Sequence, residues 1–371
     1  MNLNAMPGST FPEQYQDLLA EKQRRLESLI APFEPPAMEV FPSDPEHFRM
    51  RAEFRIRHEK EALYYVMHEK DENGRTRQVK VTNFPIASET ICKLMPLLLE
   101  AINDNPVLRR KLFQVDFLST LSGDAVITMI YHKPIDETWD EAAKQVQTKL
   151  GVPLIGRARK IKRVLERDYV DETLIINEAH YKYRQIEGGF SQPNAKVCEH
   201  MLSWAQSVSD NITGDLLELY CGNANFTVAL ANQYNRVLAT EISKTSVKAA
   251  LYNLEQNKIN NVQIARMSSE EFTQAYHGVR EFRRLEVSSI DLSSYQFSTL
   301  FVDPPRAGLD QDTIKLAQEF DQIIYVSCNP ETLAGNLVQL TKTHRIERFA
   351  IFDQFPYTHH IESGLFLTKR R

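Results

Sequence analysis

Short apolar runs alternate with helix-like stretches through the second half of this 371-residue chain. The runs predicted as strands are 216–221, 237–242, 262–267, 299–302 and 323–327, and two later ones, 346–352 and 365–368, end the sequence. Strands that are separated by helices at this spacing predict a parallel sheet with crossover helices on its faces. We therefore expect an α/β domain over residues 186–371.

The first half of the chain has a different pattern. Apolar residues from Tyr15 to Leu29 follow helical spacing, and prolines at 32, 35 and 36 end this predicted helix. Alternating and β-branched residues predict antiparallel strands within 48–81, with a hairpin signal at Asn73-Gly74, and at 112–118 and 125–131. Helices are predicted at 91–102 and 138–150. Residues 1–185 should therefore form an α+β domain.

Composition excludes several classes of protein. The densest apolar run, 94–102, is too short to cross a bilayer, and the first fifteen residues lack the pattern of a secretory signal. The four cysteines are far apart, so no CxxC pair suggests a zinc or iron–sulfur site. His359 and His360 are adjacent in a segment that we take as extended, which makes them a poor ligand pair. We expect a soluble cytoplasmic protein with no metal.

A loop of small residues follows the first strand of the second half. Gly222 lies in this turn, and Glu241 ends the next strand, 19 residues later. A carboxylate at that position can accept hydrogen bonds from both hydroxyls of a ribose. The turn lacks the GxGxxG pattern that binds a pyrophosphate, which favours an adenosyl ligand without phosphates, such as S-adenosylmethionine, over NAD. A plain tight turn beside a solvated glutamate is the alternative that these residues leave open.

Polar and reactive residues follow two further strands of the predicted sheet. Asp303, with two prolines and Arg306 behind it, ends one strand, and Cys328 ends the next. Because the carboxyl ends of parallel strands meet at one edge of a sheet, these groups should lie side by side at a ligand crevice. Cys328 is then a candidate nucleophile, and Glu362, which opens the last strand, is a candidate base. The alternatives are a small packed cysteine and a capping glutamate.

Four segments together resemble the bacterial RNA 5-methyluridine methyltransferases: LELYCGNANF at 217–226, FVDPPRAG at 301–308, YVSCNPET at 325–332 and DQFPYTHH at 353–360. The segment FSQPN at 190–194 belongs to the same pattern. Total length and similarity at 49–55 and 105–109 point to the branch of tRNA (uracil-5-)-methyltransferases, which modify uridine 54 in the T-loop of tRNA. The resemblance implies a Rossmann-like, S-adenosylmethionine-dependent domain at 186–371 and an N-terminal α+β RNA-binding domain at 1–185.

The resemblance also implies roles for individual residues. Cys328 would add to C6 of the uracil through a covalent bond, and Glu362 would remove the proton from C5. The positions that correspond to contacts with S-adenosyl-L-methionine are Gln192, Tyr220, Asn225, Glu241 and Asp303, and Gly222 lies in the loop that they flank. Ala224 departs from the pattern, because relatives can have glycine there, and this puts the geometry of the loop in question.

The acidic net charge of −5 does not by itself suggest an RNA partner, but basic residues concentrate in the first half of the chain. Arg49, Arg51 and Arg55 alternate along a predicted strand, so they would share one face as a phosphate track. Phe113 and His132 are candidates for stacking on bases that leave a folded loop. Solvation of each charge and core packing of each ring are the alternatives.

Three other functions compete with methylation of tRNA. Related ribosomal-RNA enzymes share the chemistry, but they can carry an iron–sulfur cysteine cluster and a β-barrel module that this sequence lacks. An RNA-binding protein that opens the tRNA elbow, with methylation secondary, is a second possibility. An amino-methyltransferase of the Asn-Pro-Pro-Tyr type is disfavoured, because Asp303 and Arg306 replace its asparagine and aromatic residue. We expect a monomer whose partner is the T-arm of tRNA.

Overall fold

A computed structural model describes residues 8–60, 62–70 and 75–370 of the chain. The helices are α1 (Tyr15–Ile30), α2 (Glu89–Asn103), α3 (Pro106–Arg109), α4 (Glu137–Leu150), α5 (Ala195–Val208), α6 (Asn225–Leu230), α7 (Lys244–Gln256), α8 (Ser269–Tyr276), α9 (Arg283–Val287), α10 (Gln311–Ala317) and α11 (Pro330–Leu340). The strands are β1 (Met38–Phe41), β2 (Arg51–Glu59), β3 (Ala62–Lys70), β4 (Thr76–Lys80), β5 (Leu112–Ser119), β6 (Ala125–Tyr131), β7 (Leu154–Ala158), β8 (Ile161–Val164), β9 (Tyr169–Ile176), β10 (Ala179–Ile186), β11 (Asp215–Leu219), β12 (Val237–Thr240), β13 (Val262–Ala265), β14 (Phe297–Val302), β15 (Gln322–Ser327), β16 (His344–Phe352) and β17 (Glu362–Lys369).

The second half of the chain forms the predicted parallel sheet. Its strand order is β1-β16-β17-β15-β14-β11-β12-β13, and neighbouring strands from β13 to β15 run parallel. The last strand, β17, runs antiparallel to both β15 and β16. This α/β arrangement confirms the fold class expected from the alternation of apolar runs and helices.

The strands of this sheet are apolar because helices cover both of its faces. Every residue of β11 and β12 is buried, and so are five of the six residues of β15. A strand that is buried on both faces has no solvent-facing side, so its sequence is a continuous apolar run without alternation. No helix within the described ranges is both long and apolar enough to cross a membrane.

The second sheet is formed by the first half of the chain, in the order β4-β3-β2-β5-β6-β7-β8. Its pairs are antiparallel except β6 with β7. The predicted strands at 112–118 and 125–131 are confirmed, and β3 pairs with β4 as the hairpin prediction requires, although Asn73-Gly74 itself lies outside the described residues. The sequence pattern missed β7 to β10, because these strands are short or interrupted by charged residues.

An early segment of the chain belongs to the second-half sheet. Strand β1 pairs in parallel with β16, from Met38 opposite Phe349 to Phe41 opposite Phe352. Helix α1 also contacts this half, where Lys22 forms a buried ion pair with Asp353 at 2.7 Å. The division of the chain at residues 185 and 186 stays a prediction, and these contacts show that residues before 185 contribute to the parallel sheet as well as to the sheet of the first half.

Buried Glu218 in β11 leads to a prediction about stability. Burial raises the pKa of its carboxyl from 4.5 to about 8. An unfolded chain ionises this group at lower pH, so the folded protein alone retains the proton between roughly pH 5 and 8. The free energy of unfolding should therefore fall as pH rises, by up to about 1.4 kcal/mol per unit from this group.

We expect the variant Glu218→Gln, which has the same shape and cannot ionise, to lose this part of the pH dependence. Thermal unfolding followed by circular dichroism at pH 5 to 8 measures the difference, because the other buried acids are common to both proteins. Melting curves of wild type and variant that shift in parallel over this range would contradict the burial of an un-ionised Glu218.

Candidate active site

A cavity of about 560 Å³ opens at the carboxyl edge of the parallel strands. Its wall contains all the residues that were predicted to bind the cofactor or react: Gln192, Tyr220, Gly222, Asn225, Glu241, Asp303, Cys328 and Glu362. The volume lies within the range of small-molecule and cofactor sites. The structure therefore brings the predicted residues together, and their individual roles stay predictions.

The loop after β11 lines the cavity, and three of its residues have left-handed backbone. Tyr220, Gly222 and Ala224 have φ angles of 64°, 57° and 67°. A Cβ built on Gly222 would meet no atom within 4 Å, so the missing side chain leaves the space in front of the loop open. Ala224 adopts the conformation that glycine takes at less cost, which means that the departure from the family pattern preserves the turn.

Hydrogen bonds fix the side chains around this loop. The Glu241 carboxylate accepts from the backbone N–H of Gly222 through Oε2 at 3.0 Å and from that of Ser243 through Oε1 at 2.7 Å. The Tyr220 hydroxyl donates to Ser269 Oγ at 2.7 Å. Each Glu241 oxygen keeps a further lone pair for a ligand hydroxyl. The arrangement offers an aromatic ring and a fixed acceptor to a nucleoside.

The reactive end of the cavity is formed by three neighbouring strands. Asp303 follows β14 and Cys328 follows β15, which run parallel, so both leave the sheet at the same edge. Glu362 opens β17, and Ser327 lies opposite Ser363 in the antiparallel pairing. The start of one strand therefore meets the end of the other, which places a thiol and two carboxyl groups in one wall.

Burial sets the protonation of these groups. It raises the pKa of Asp303 to about 7, and together with the Asp303 charge it raises the pKa of Glu362 well above its usual range. Burial, with Glu362 and Asp303, also raises the pKa of the Cys328 thiol to about 11, against the opposing effect of Arg306. At neutral pH the free protein therefore holds a protonated thiol beside two buried acids, of which Asp303 exchanges its proton near pH 7.

Several lining residues were not predicted as site residues. Phe355 lies in the wall, and Phe190 lines the mouth with 73% of its surface exposed. Arg306 lines the same wall and donates from Nη2 to His360 Nδ1 at 2.8 Å. All three lie in the sequence motifs named above. The large exposed surface of Phe190, which only the structure shows, marks it as a candidate ligand contact.

The two adjacent histidines differ from the expectation. The ring centroids of His359 and His360 lie 4.3 Å apart, because the chain bends here and is not extended. The expectation that this segment is extended is therefore wrong. Within the described ranges, no group of three or more histidine, cysteine, aspartate or glutamate side chains is arranged to hold a metal ion.

The residues predicted to contact RNA lie outside the cavity, and three of them form a stack on the first-half sheet. The rings of Phe113 and His132 lie 3.7 Å apart and nearly parallel, and the Arg55 guanidinium lies 3.9 Å from the Phe113 centroid. His132 is exposed and Phe113 is partly exposed, so core packing does not explain them. The stack offers an aromatic surface with a positive charge, which suits an unstacked base.

Arg49 and Arg51 differ from Arg55. Arg49 Nε donates to the carbonyl of Arg51 at 2.8 Å, and Arg51 Nη2 donates to the carbonyl of Gly189 at 2.7 Å, next to Phe190. Both residues are partly buried, and Arg51 supports the backbone before Gln192 through its bond to Gly189. Arg157 and Lys162, in a later basic run, form ion pairs with Glu187. Because these basic groups already have partners within the protein, they do not form the single open row of charges that was predicted to bind phosphates. The RNA contacts stay predictions.

Comparison with known proteins adds a family match. Residues 14–370 match the model of a family described as tRNA (Uracil-5-)-methyltransferase. A relative from Vibrio parahaemolyticus, named tRNA/tmRNA (uracil-C(5))-methyltransferase, is 55% identical over 97% of this chain and 98% of its own. A relative of the same name from Acinetobacter baylyi is 53% identical over 95% of this chain and 98% of its own.

A solved structure supports the fold alone. It is the Pyrococcus abyssi tRNA (uracil-54, C5)-methyltransferase in complex with S-adenosyl-L-homocysteine, and it matches with a TM-score of 0.73. The two sequences are 19% identical, and the match covers 95% of this chain and 83% of that one. At this identity the likeness establishes that both chains share an architecture.

The raised pKa of Cys328 predicts its reactivity in the free protein. Alkylation of the Cys328 peptide by iodoacetamide, followed by mass spectrometry, should be slow at pH 7 and rise about tenfold per pH unit up to about pH 10. Glu362→Gln removes a negative charge near the thiol, so the midpoint should move to lower pH. A rate that is flat between pH 7 and 10 would show that the thiol is already ionised.

Proposed function

The chain belongs to the tRNA (uracil-5-)-methyltransferase family, and on that basis we propose that it methylates C5 of a uracil in tRNA with S-adenosyl-L-methionine as donor. The observation that supports this most directly is the meeting of Cys328, Glu362 and the loop at Gly222 in one cavity. The relatives at 55% and 53% identity carry names for this activity on tRNA and tmRNA.

The residues of the cavity fit an adenosyl cofactor. Glu241 is positioned to accept from the ribose hydroxyls, Tyr220 offers a ring to the adenine, and the open space before Gly222 admits a ligand close to the backbone. Gln192, Asn225 and Asp303 complete the predicted set at the same wall. When bound, S-adenosylmethionine supplies an electrophilic methyl group on a sulfonium.

The proposed chemistry begins at Cys328, because C5 of uracil is too weak a nucleophile unaided. The thiol gives up its proton to a neighbouring carboxylate and its sulfur bonds to C6, which makes C5 an enolate-like carbon that can accept a methyl group. C5 would take the methyl group from the sulfonium, which would leave S-adenosylhomocysteine as the second product. Glu362 then takes the proton from C5, the bond between sulfur and C6 breaks with release of the Cys328 thiolate, and the methylated uracil leaves. Asp303 and Glu362 act in their ionised forms, and burial raises the pKa of both, so turnover should rise with pH above the range in which ordinary carboxyl groups ionise.

Within tRNA we propose uridine 54 of the T-arm as the target, and a monomer acting in the cytoplasm. The stack of Arg55, Phe113 and His132 supports an RNA partner whose bases leave their helix, as the target base must do to enter a cavity. The same stack, which lies outside the cavity, favours a second candidate function: opening the tRNA elbow, with methylation secondary. Ribosomal RNA is the less favoured substrate, because the family match names tRNA.

A covalent trap tests the role of Cys328. A T-arm RNA with 5-fluorouridine at position 54 cannot lose its C5 substituent as a proton, so the protein should remain bonded to it and migrate more slowly in denaturing gels. We expect this adduct with the wild type and with the control Cys92→Ala, and none with Cys328→Ala. Methylation of normal tRNA by Cys328→Ala would contradict covalent catalysis.

Glu241 is predicted to bind the cofactor. Removing its charge should weaken binding of S-adenosylhomocysteine by about 10- to 100-fold, which corresponds to the loss of charge-assisted hydrogen bonds. Isothermal titration of Glu241→Gln measures this, with Glu255→Gln, an exposed residue on α7, as the matched control. Equal affinities in the two variants would exclude a contact between Glu241 and the ligand.

A further inference from the structure

Helix α1 contacts a segment next to the reactive end of the cavity, although the two are more than 300 residues apart in sequence. Its side chains contact the segment 353–361, which leads from β16 to Glu362 at the start of β17. This segment has no helix or strand of its own, and it also contains Phe355, which lines the cavity. Its position therefore depends on contacts with other parts of the chain.

Lys22 makes the most buried of these contacts. Its Nζ donates to Asp353 Oδ1 and to the carbonyl of Phe355, both at 2.7 Å, and the side chain is 8% exposed. Removing two charges from water costs about as much as their attraction returns, so such a pair adds little net stability. The pair instead fixes the position of residues 353–355, because the ammonium binds both ends of this turn.

Arg25 lies one turn further along the same helix and joins two segments. Its Nη1 donates to the carbonyl of His359 at 3.0 Å, and its Nη2 pairs with the carboxylate of Glu331. Glu331 is the second residue of α11, three positions after Cys328. One guanidinium therefore links the segment that leads to Glu362 with the turn that carries the thiol.

Other residues from the first half of the chain support the same segment. The backbone N–H of Asp353 donates to the carbonyl of Phe41, and the Tyr357 hydroxyl donates to the carbonyl of Pro45 at 2.9 Å. These bonds keep the segment against the early part of the chain. The hydrogen bond from Arg306 to His360 and the pairing of Ser363 with Ser327 also act at its far end, and Arg25 adds the link to Glu331.

We propose that Lys22 and Arg25 are positioning residues that set the placement of Glu362 relative to Cys328. This rests on the proposed function and goes beyond it, because neither side chain lines the cavity. A shift of about 1 Å in a reacting group can cost about a hundredfold in rate, so fixing these two segments affects turnover. Cofactor and RNA are predicted to bind at the loop at Gly222 and on the first-half sheet, so their binding should not change.

The test separates turnover from binding. Lys22→Met should lower kcat for tRNA methylation at least about tenfold, and Arg25→Gln about three- to tenfold, with KM for tRNA and the Kd of S-adenosylhomocysteine within about twofold of wild type. Arg24→Gln, an exposed neighbour on the same helix, is the matched control and should behave as wild type. A change in both binding constants together with kcat would indicate a general structural role and overturn the proposal.

Folding is checked by thermal unfolding of each variant. If Lys22→Met does not fold, Arg25→Gln and Glu331→Gln decide the question, because both residues are about half exposed and their loss leaves no buried charge. A normal kcat in those two variants overturns the linking role of Arg25. The wild type is measured in the same assay, so absence of methylation there would count against the proposed function and not against the role of α1.

Discussion

The antiparallel insertion of β17 between β15 and β16 determines where the reactive groups lie. In a wholly parallel sheet, a strand after β16 would begin at the opposite edge, away from the carboxyl ends where ligands bind. Because β17 runs the other way, its first residue, Glu362, lies where β15 ends and Cys328 begins its turn. This one reversal of strand direction therefore places the two acids and the thiol in the wall of the same cavity.

Burial then gives these groups their chemistry. A carboxyl group that loses contact with water retains its proton to higher pH, and Asp303 and Glu362 do so at the wall that also holds Cys328. The thiol is held protonated as well, so the free protein has little thiolate to lose to oxidants or other electrophiles. A reactive nucleophile then requires a substrate that changes the surroundings of the thiol, which couples RNA binding to reactivity in the proposed mechanism.

The sequence predicted the parts of the molecule that depend on local pattern. Buried strands of the parallel sheet are recognisable as apolar runs, and the rule that ligands bind at their carboxyl ends was enough to place Asp303 and Cys328 side by side. The pairing of β1 with β16 and the contact of Lys22 with Asp353 join residues that are more than 300 positions apart. Hydrophobic periodicity within a short window cannot predict contacts over such a distance. The sequence shows that Arg49 and Arg51 are charged, but it does not show that backbone carbonyls accept their hydrogen bonds.

In the proposed reaction a uracil base, and no other, enters the cavity between Cys328 and the loop at Gly222. Incubation of the protein and S-adenosylmethionine with unmodified tRNA, followed by nuclease digestion and mass spectrometry, locates the methyl group. We expect 5-methyluridine at position 54. A methyl group on another base, on ribose, or on an exocyclic nitrogen would contradict it.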